Sequence, residues 1–108
     1  PLCRMCGEGP ETREHFIALC TSTQQYRTKY KEKIGNILKQ YPGVDSDATL
    51  TNPRLFTHVV LDCTHPDVYT TKLRDEDISS LESLSREYIM RIHLARCRQL
   101  ANQAIDTG

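Results

Sequence analysis

Four residues of metal-ligand type crowd the start of the chain in the pattern Cys3-x2-Cys6-x8-His15-x4-Cys20. Three thiolates and one imidazole within eighteen residues suffice to close a tetrahedral shell around one Zn²⁺ ion. With all four positions taken by protein atoms, no place is left for water or substrate. The expected ion is therefore structural rather than catalytic. Gly7 and Gly9 follow the first cysteine pair, and small residues there let backbone amides approach the sulfurs. Unrelated buried cysteines beside a surface histidine are the plainer alternative, which the Cys-x2-Cys spacing with a further His and Cys disfavours.

The ligands require elements to hold them. Pro10 and Thr12 mark a helix start, with Thr12 as N-cap and Glu14 and His15 in the first turn. His15 and Cys20 stand five residues apart, too far round a regular α-helix for both to face one way. Cys20 is thus expected at or just past the helix end, where the chain bends back. Phe16, Ile17 and Leu19 would cushion the metal from below.

Beyond the ligands, Ser22 with Gln25 reads as a capping box. The helix it opens carries Tyr26, Tyr30, Ile34, Ile37, Leu38 and Tyr41 as one apolar stripe and stops at Pro42-Gly43. Residues 43–51 are polar and turn-rich, which predicts a loop. Asn52-Pro53 supplies an N-cap with Pro at the first helical position. Leu55, Phe56, Val59 and Val60 then fit a short helix, with a strand as the alternative for its β-branched pair. A loop through Cys63, His65 and Pro66 runs to about residue 75. The last element, capped by Asp77 or Ser79, shows helical periodicity through Ile78, Leu81, Leu84, Tyr88, Ile89, Ile92, Ala95 and Leu100. The fold class expected is mostly α: a small zinc knuckle followed by about three helices packed as a bundle. Residues 1–41 form the zinc module with its helix, and 42–108 a helical region packed on it, the two making one compact unit. A long amphipathic helix needs more partners than two short ones supply, so some apolar surface is expected to remain open.

His58, Cys63, His65, His93 and Cys97 are left over. His93 and Cys97 share a helix face, and Cys63-x-His65 is compact, so Cys63, His65, His93 and Cys97 would make a second shell if the loop folded onto the last helix. Ordinary core or edge positions explain them better, and one zinc ion per chain is the expectation.

Composition narrows the function classes. The chain has 108 residues, zero formal charge, five Cys and no Trp, which gives a thin core for which a metal would matter. An odd cysteine count, without a signal peptide or membrane-length apolar run, fits metal ligation in a reducing, intracellular compartment, nucleus or cytoplasm. The opening Pro-Leu-Cys, without Met, suggests a piece cut from a longer protein. Residues 1–41 carry seven Lys/Arg against four Asp/Glu, a net of +3. Residues 42–85 carry three against eight, a net of −5, and 86–108 carry four against two, a net of +2. The knuckle and the last helix are therefore the mildly basic surfaces. No nucleophile–base pair, phosphate-cradling glycine loop or nuclease carboxylate motif is visible, and Asp75-Glu76-Asp77 suits a helix start on dipole grounds alone. The chain is expected to be non-catalytic by itself, with no small-molecule substrate and no membrane partner.

The run from Cys3 to Cys20, with Glu11-Thr12, Glu14-His15 and the apolar residues before Cys20, resembles a known segment. It is similar to the CCHC zinc segment near the C-terminus of reverse-transcriptase polyproteins from non-LTR (LINE-type) retrotransposons. Tyr26-Arg27, Val60-Leu61-Asp62, and His93 with Arg96 extend the resemblance loosely over nearly the whole chain. It implies a module downstream of an RNA-directed DNA polymerase that helps hold template RNA or target DNA, with Cys3, Cys6, His15 and Cys20 as zinc ligands. The candidate phosphate contacts are Arg4, Arg13, Arg27, Lys29 and Lys33. So few cations imply weak, strongly salt-dependent binding, to which Phe16 or Tyr26 could add base stacking. The alternative is a protein-interaction or scaffolding module docking on the parent polyprotein or a host partner.

Overall fold

The computed structural model describes residues 1–69 and 71–107, with side chains through residue 104. An isolated antiparallel bridge between Leu2 and Pro10 closes the first turn. There the Cys3 amide donates to the Gly9 carbonyl at 2.7 Å and the Gly7 amide to the Cys3 carbonyl at 2.9 Å. Thr12 caps the next turn as expected: its Oγ1 accepts from the His15 amide at 3.1 Å and its carbonyl from the Phe16 amide at 3.0 Å. The turn over His15–Leu19 is a π-helix, and a 3₁₀ turn, Thr21–Thr23, follows. Among the described residues four α-helices complete the fold: α1 (Gln24–Leu38), α2 (Ser46–Thr51), α3 (Pro53–Leu61) and α4 (Asp75–Thr107). The protein is mostly helical, with no strand among the described residues, and the cysteine-rich knuckle precedes the helices.

Three expectations about these elements are corrected. The capping box at Ser22 does not form, because Thr23, buried, ends the preceding 3₁₀ turn and turns its hydroxyl toward the Cys20 carbonyl. Residues 43–51 are not all loop: Asp45 Oδ1 accepts from the Ala48 amide at 3.0 Å and so nucleates α2. Gly35 on α1 makes room for that helix, since a Cβ there would stand 3.0 Å from Leu50 Cδ1. Finally, α4 begins at Asp75, ahead of both expected caps, and Asp77 is used differently. Its carboxylate accepts from the Tyr41 hydroxyl and, at 3.0 Å, from Arg74 Nε. The helix that carries Asn52 as N-cap is as expected, with Asn52 Oδ1 accepting from the Leu55 amide at 3.1 Å and Pro53 in its first turn.

The stripe on α1 is buried at Tyr30, Ile34 and Leu38, that on α3 at Phe56, Val59 and Val60, and that on α4 at Leu81, Tyr88 and Ile92. These stripes meet around Tyr88, whose ring lies 5.5 Å from Tyr30 and 5.9 Å from Phe56. Such tilted aromatic pairs add about 0.5–1.5 kcal/mol beyond the area they bury. The Tyr88 hydroxyl donates to the Ile17 carbonyl, which ties the core to the π-helical turn. At 33 residues α4 is about 50 Å long, matching the 52 Å long axis of the molecule. Its far half runs back beside the knuckle: Gln99 Nε2 donates to the Met5 carbonyl at 2.8 Å, and Arg96 pairs with Glu11. Both ends of the chain therefore fix the same region.

Candidate metal centre

The two glycines behind the first cysteine pair differ in purpose. Gly7 has φ of 69°, the left-handed turn that reverses the chain after Cys6. Gly9 makes room: a Cβ there would stand 2.8 Å from His15 Nδ1 and 2.9 Å from Cε1. The imidazole thus lies flat on the backbone of the turn, and Nε2 is the nitrogen that faces Cys6, 3.2 Å from its Sγ. The Glu8 amide donates to that sulfur at 3.5 Å.

The π-helical turn solves the spacing problem. An α-helix cannot aim residues five apart at one point, but here the Cys20 amide donates to the His15 carbonyl at 2.8 Å, an i→i+5 bond. The widened turn sets Cys20 beside His15 and then releases it into an extended conformation, φ −62° and ψ 121°. Single π turns of this sort recur at functional sites. Cys3, Cys6, His15 and Cys20 are brought together as expected, with one ligand atom from each lying within 4.8 Å of all the others. Cys3 Sγ and Cys20 Sγ are 3.9 Å apart. Two sulfurs at about 2.3 Å from a tetrahedral zinc stand about 3.8 Å apart, so the donor set fits such an ion with little adjustment. The four residues can hold one metal ion.

Burial shapes their proton affinities. Cys20 is fully buried, and desolvation pushes its thiol up, with the neighbouring Cys6 and Cys3 adding to the rise. Desolvation also acts on Cys3, but backbone donors from Cys6 and Met5 and the contacts with Cys20 and Cys6 outweigh it and hold that thiol low. A bound dication would deprotonate the coordinating thiols outright. A dication with three thiolates and a neutral imidazole leaves one negative charge at the centre.

Of the residues assigned to phosphate contact, Arg4, Arg13, Lys29 and Lys33 are exposed. Arg4 Nε lies 4.0 Å from Glu11, whereas Arg13, Lys29 and Lys33 form no ion pair among the described residues. The assignment of Arg27 is corrected. Only 6% of it is exposed, and its Nη2 donates to the Cys20 carbonyl at 2.8 Å, so it braces a ligand residue and is closed to a phosphate. This bracing was not legible as such, since an arginine on a polar helix face looks like a surface charge. Phe16 is half-buried beneath Arg96, 5.7 Å from its ring centre, and Tyr26 packs partly on the core.

The second shell from Cys63, His65, His93 and Cys97 is not assembled. Cys63 is buried with its Sγ turned to the Ile78 carbonyl at 3.8 Å, at the near end of α4. His93 stands fifteen residues further along that helix, about 22 Å away, where its Nε2 lies 3.6 Å from Cys97 Sγ. His65 instead stacks on His58, with ring centres 3.9 Å apart. Among the described residues no helix is long and apolar enough to cross a membrane. Comparison with protein-family models, curated proteins and solved structures finds no match to this chain.

Proposed function

We propose that this chain is a zinc-stabilised accessory module that holds RNA or DNA for a parent reverse transcriptase of the non-LTR retrotransposon kind. The observation that carries the reading is the convergence of Cys3, Cys6, His15 and Cys20, whose ligand atoms lie within 4.8 Å of one another. Three sulfurs and a ring nitrogen favour zinc among the divalent ions. The ion's task is to fix the N-terminal third, with roughly 10–16 kcal/mol of binding free energy at its disposal. Exposed cations on that scaffold, Arg13, Lys29 and Lys33, have no carboxylate partner among the described residues and are available to phosphate oxygens. The chain itself is read as non-catalytic.

Three phosphate contacts on a single strand give a slope of log affinity against log salt of about −2. A fluorescence titration with single-stranded RNA should therefore lose about 20-fold in affinity between 50 and 200 mM salt. Silence at the lower salt would refute the reading. A second reading, docking on a protein partner, is favoured by Leu61, Met90 and Leu94, which are 47%, 56% and 43% exposed. That silence is the result it expects.

A further inference from the structure

We infer that His58, His65 and Asp67 form a second, weaker and exchangeable site for a first-row divalent transition metal. The three side chains each offer one ligand atom, all within 4.8 Å of one another. His58 projects from α3, and His65 and Asp67 come from the loop that follows, so an ion there would clip that loop to the helix. Two imidazoles and a carboxylate select zinc, nickel, cobalt or copper over magnesium and calcium. Three protein ligands leave positions open to water, unlike the closed N-terminal shell, and this makes the ion exchangeable.

The rings lie nearly parallel, 11° apart, at 3.9 Å. An imidazole ligates as the neutral form through a lone pair in its own ring plane, so rings stacked in this way must swing apart before both can hold one ion. The charged groups around them favour a cation. Asp67 Oδ2 is 4.0 Å from His58 Nε2, and the Asp62 carboxylate, fixed by Thr64, is near enough for both imidazoles to act on it, while Arg54 stands 3.2 Å from Asp67. Two features keep the affinity below that of the cysteine site. The His65 Nδ1 lone pair already accepts from the Asp67 amide at 3.1 Å, so a metal must displace that donor or take the other nitrogen with the ring turned over. Arg54 must also share Asp67 with the ion.

The test is a Ni²⁺ titration of the untagged chain carrying its one tight zinc, followed by calorimetry and by amide NMR at about pH 7.5. We expect one further equivalent, with paramagnetic broadening centred on residues 58–67. His58→Ala or His65→Ala should weaken it by about 10-fold or more, as loss of a metal-site contact does, with helix content and zinc content unchanged. Arg54→Ala should tighten it by freeing Asp67. His93→Ala should leave it intact, which separates this site from the His93–Cys97 pair. No further equivalent, binding that survives both His58→Ala and His65→Ala, or binding that vanishes with His93→Ala would each overturn the inference.

Discussion

Replacing Gly9 with Ala should weaken zinc binding without harming the metal-free helical core. The added Cβ would stand 2.8 Å from His15 Nδ1 and 2.9 Å from Cε1, whereas carbon contacts settle near 3.5 Å. The ring must retreat by about 0.6 Å, but ligand positions tolerate only about 0.2 Å around ideal metal distances. In the metal-free protein the buried imidazole is held by packing and one contact to Cys6 rather than by an ion, and it can shift further. Once Nε2 is held by an ion it cannot, and the overpacking, about 1–3 kcal/mol, falls on the loaded state alone. That difference corresponds to about 5- to 150-fold weaker zinc binding. Competition against a chromophoric chelator measures it, with Glu8→Ala as the exposed neighbouring control. Thermal unfolding gives the second half of the cycle: the loaded variant should lose stability and the stripped variant should not. Equal zinc affinity, or equal destabilisation with and without metal, would refute the reasoning.

Tyr88→Phe removes the hydroxyl that meets the buried Ile17 carbonyl and should cost about 1–3 kcal/mol in denaturant unfolding; an unchanged midpoint would show that the bond contributes nothing. The Asp77 carboxyl is held below its ordinary value by the Tyr41 hydroxyl and then by Arg74. Its folded pKa lies below its unfolded one, so the contribution is present above the ordinary carboxylate range and lost as pH falls through it. Melting temperatures between about pH 6 and pH 3 should thus fall less steeply in Tyr41→Phe than in the parent, and identical slopes would contradict this. Replacing Arg13 and Lys29 by Ala should flatten the salt dependence of RNA binding by about 0.7 per residue and weaken all sequences alike; a sequence-selective loss would argue for base readout instead.

The ligands were legible because cysteine and histidine at short spacing have few other uses. Their geometry was less so. The five-residue step from His15 to Cys20 announces that a regular helix cannot serve, and the π turn is the backbone's answer, yet nothing in His15–Leu19 specifies an i→i+5 bond over an early stop. The apolar stripes on α1, α3 and α4 follow directly from periodicity, as does the Asn52-Pro53 start. Asp45 and Ala48 carry a capping signal that a short polar stretch hides, because α2 is stabilised by packing on α1 and α3 rather than by a stripe of its own. Arg27 and Gly9 could not be read from local pattern at all. One is buried by the chain turning back at Cys20, and the other is required by a ring six residues later.

Zinc K-edge absorption spectroscopy of the purified chain, after removal of loosely held metal, tests the central claim most directly. It should show one tightly bound ion with three sulfurs at about 2.3 Å and one nitrogen at about 2.0–2.1 Å. A chain that is metal-free yet fully ordered through Cys20, or an ion surrounded by oxygen, would contradict it.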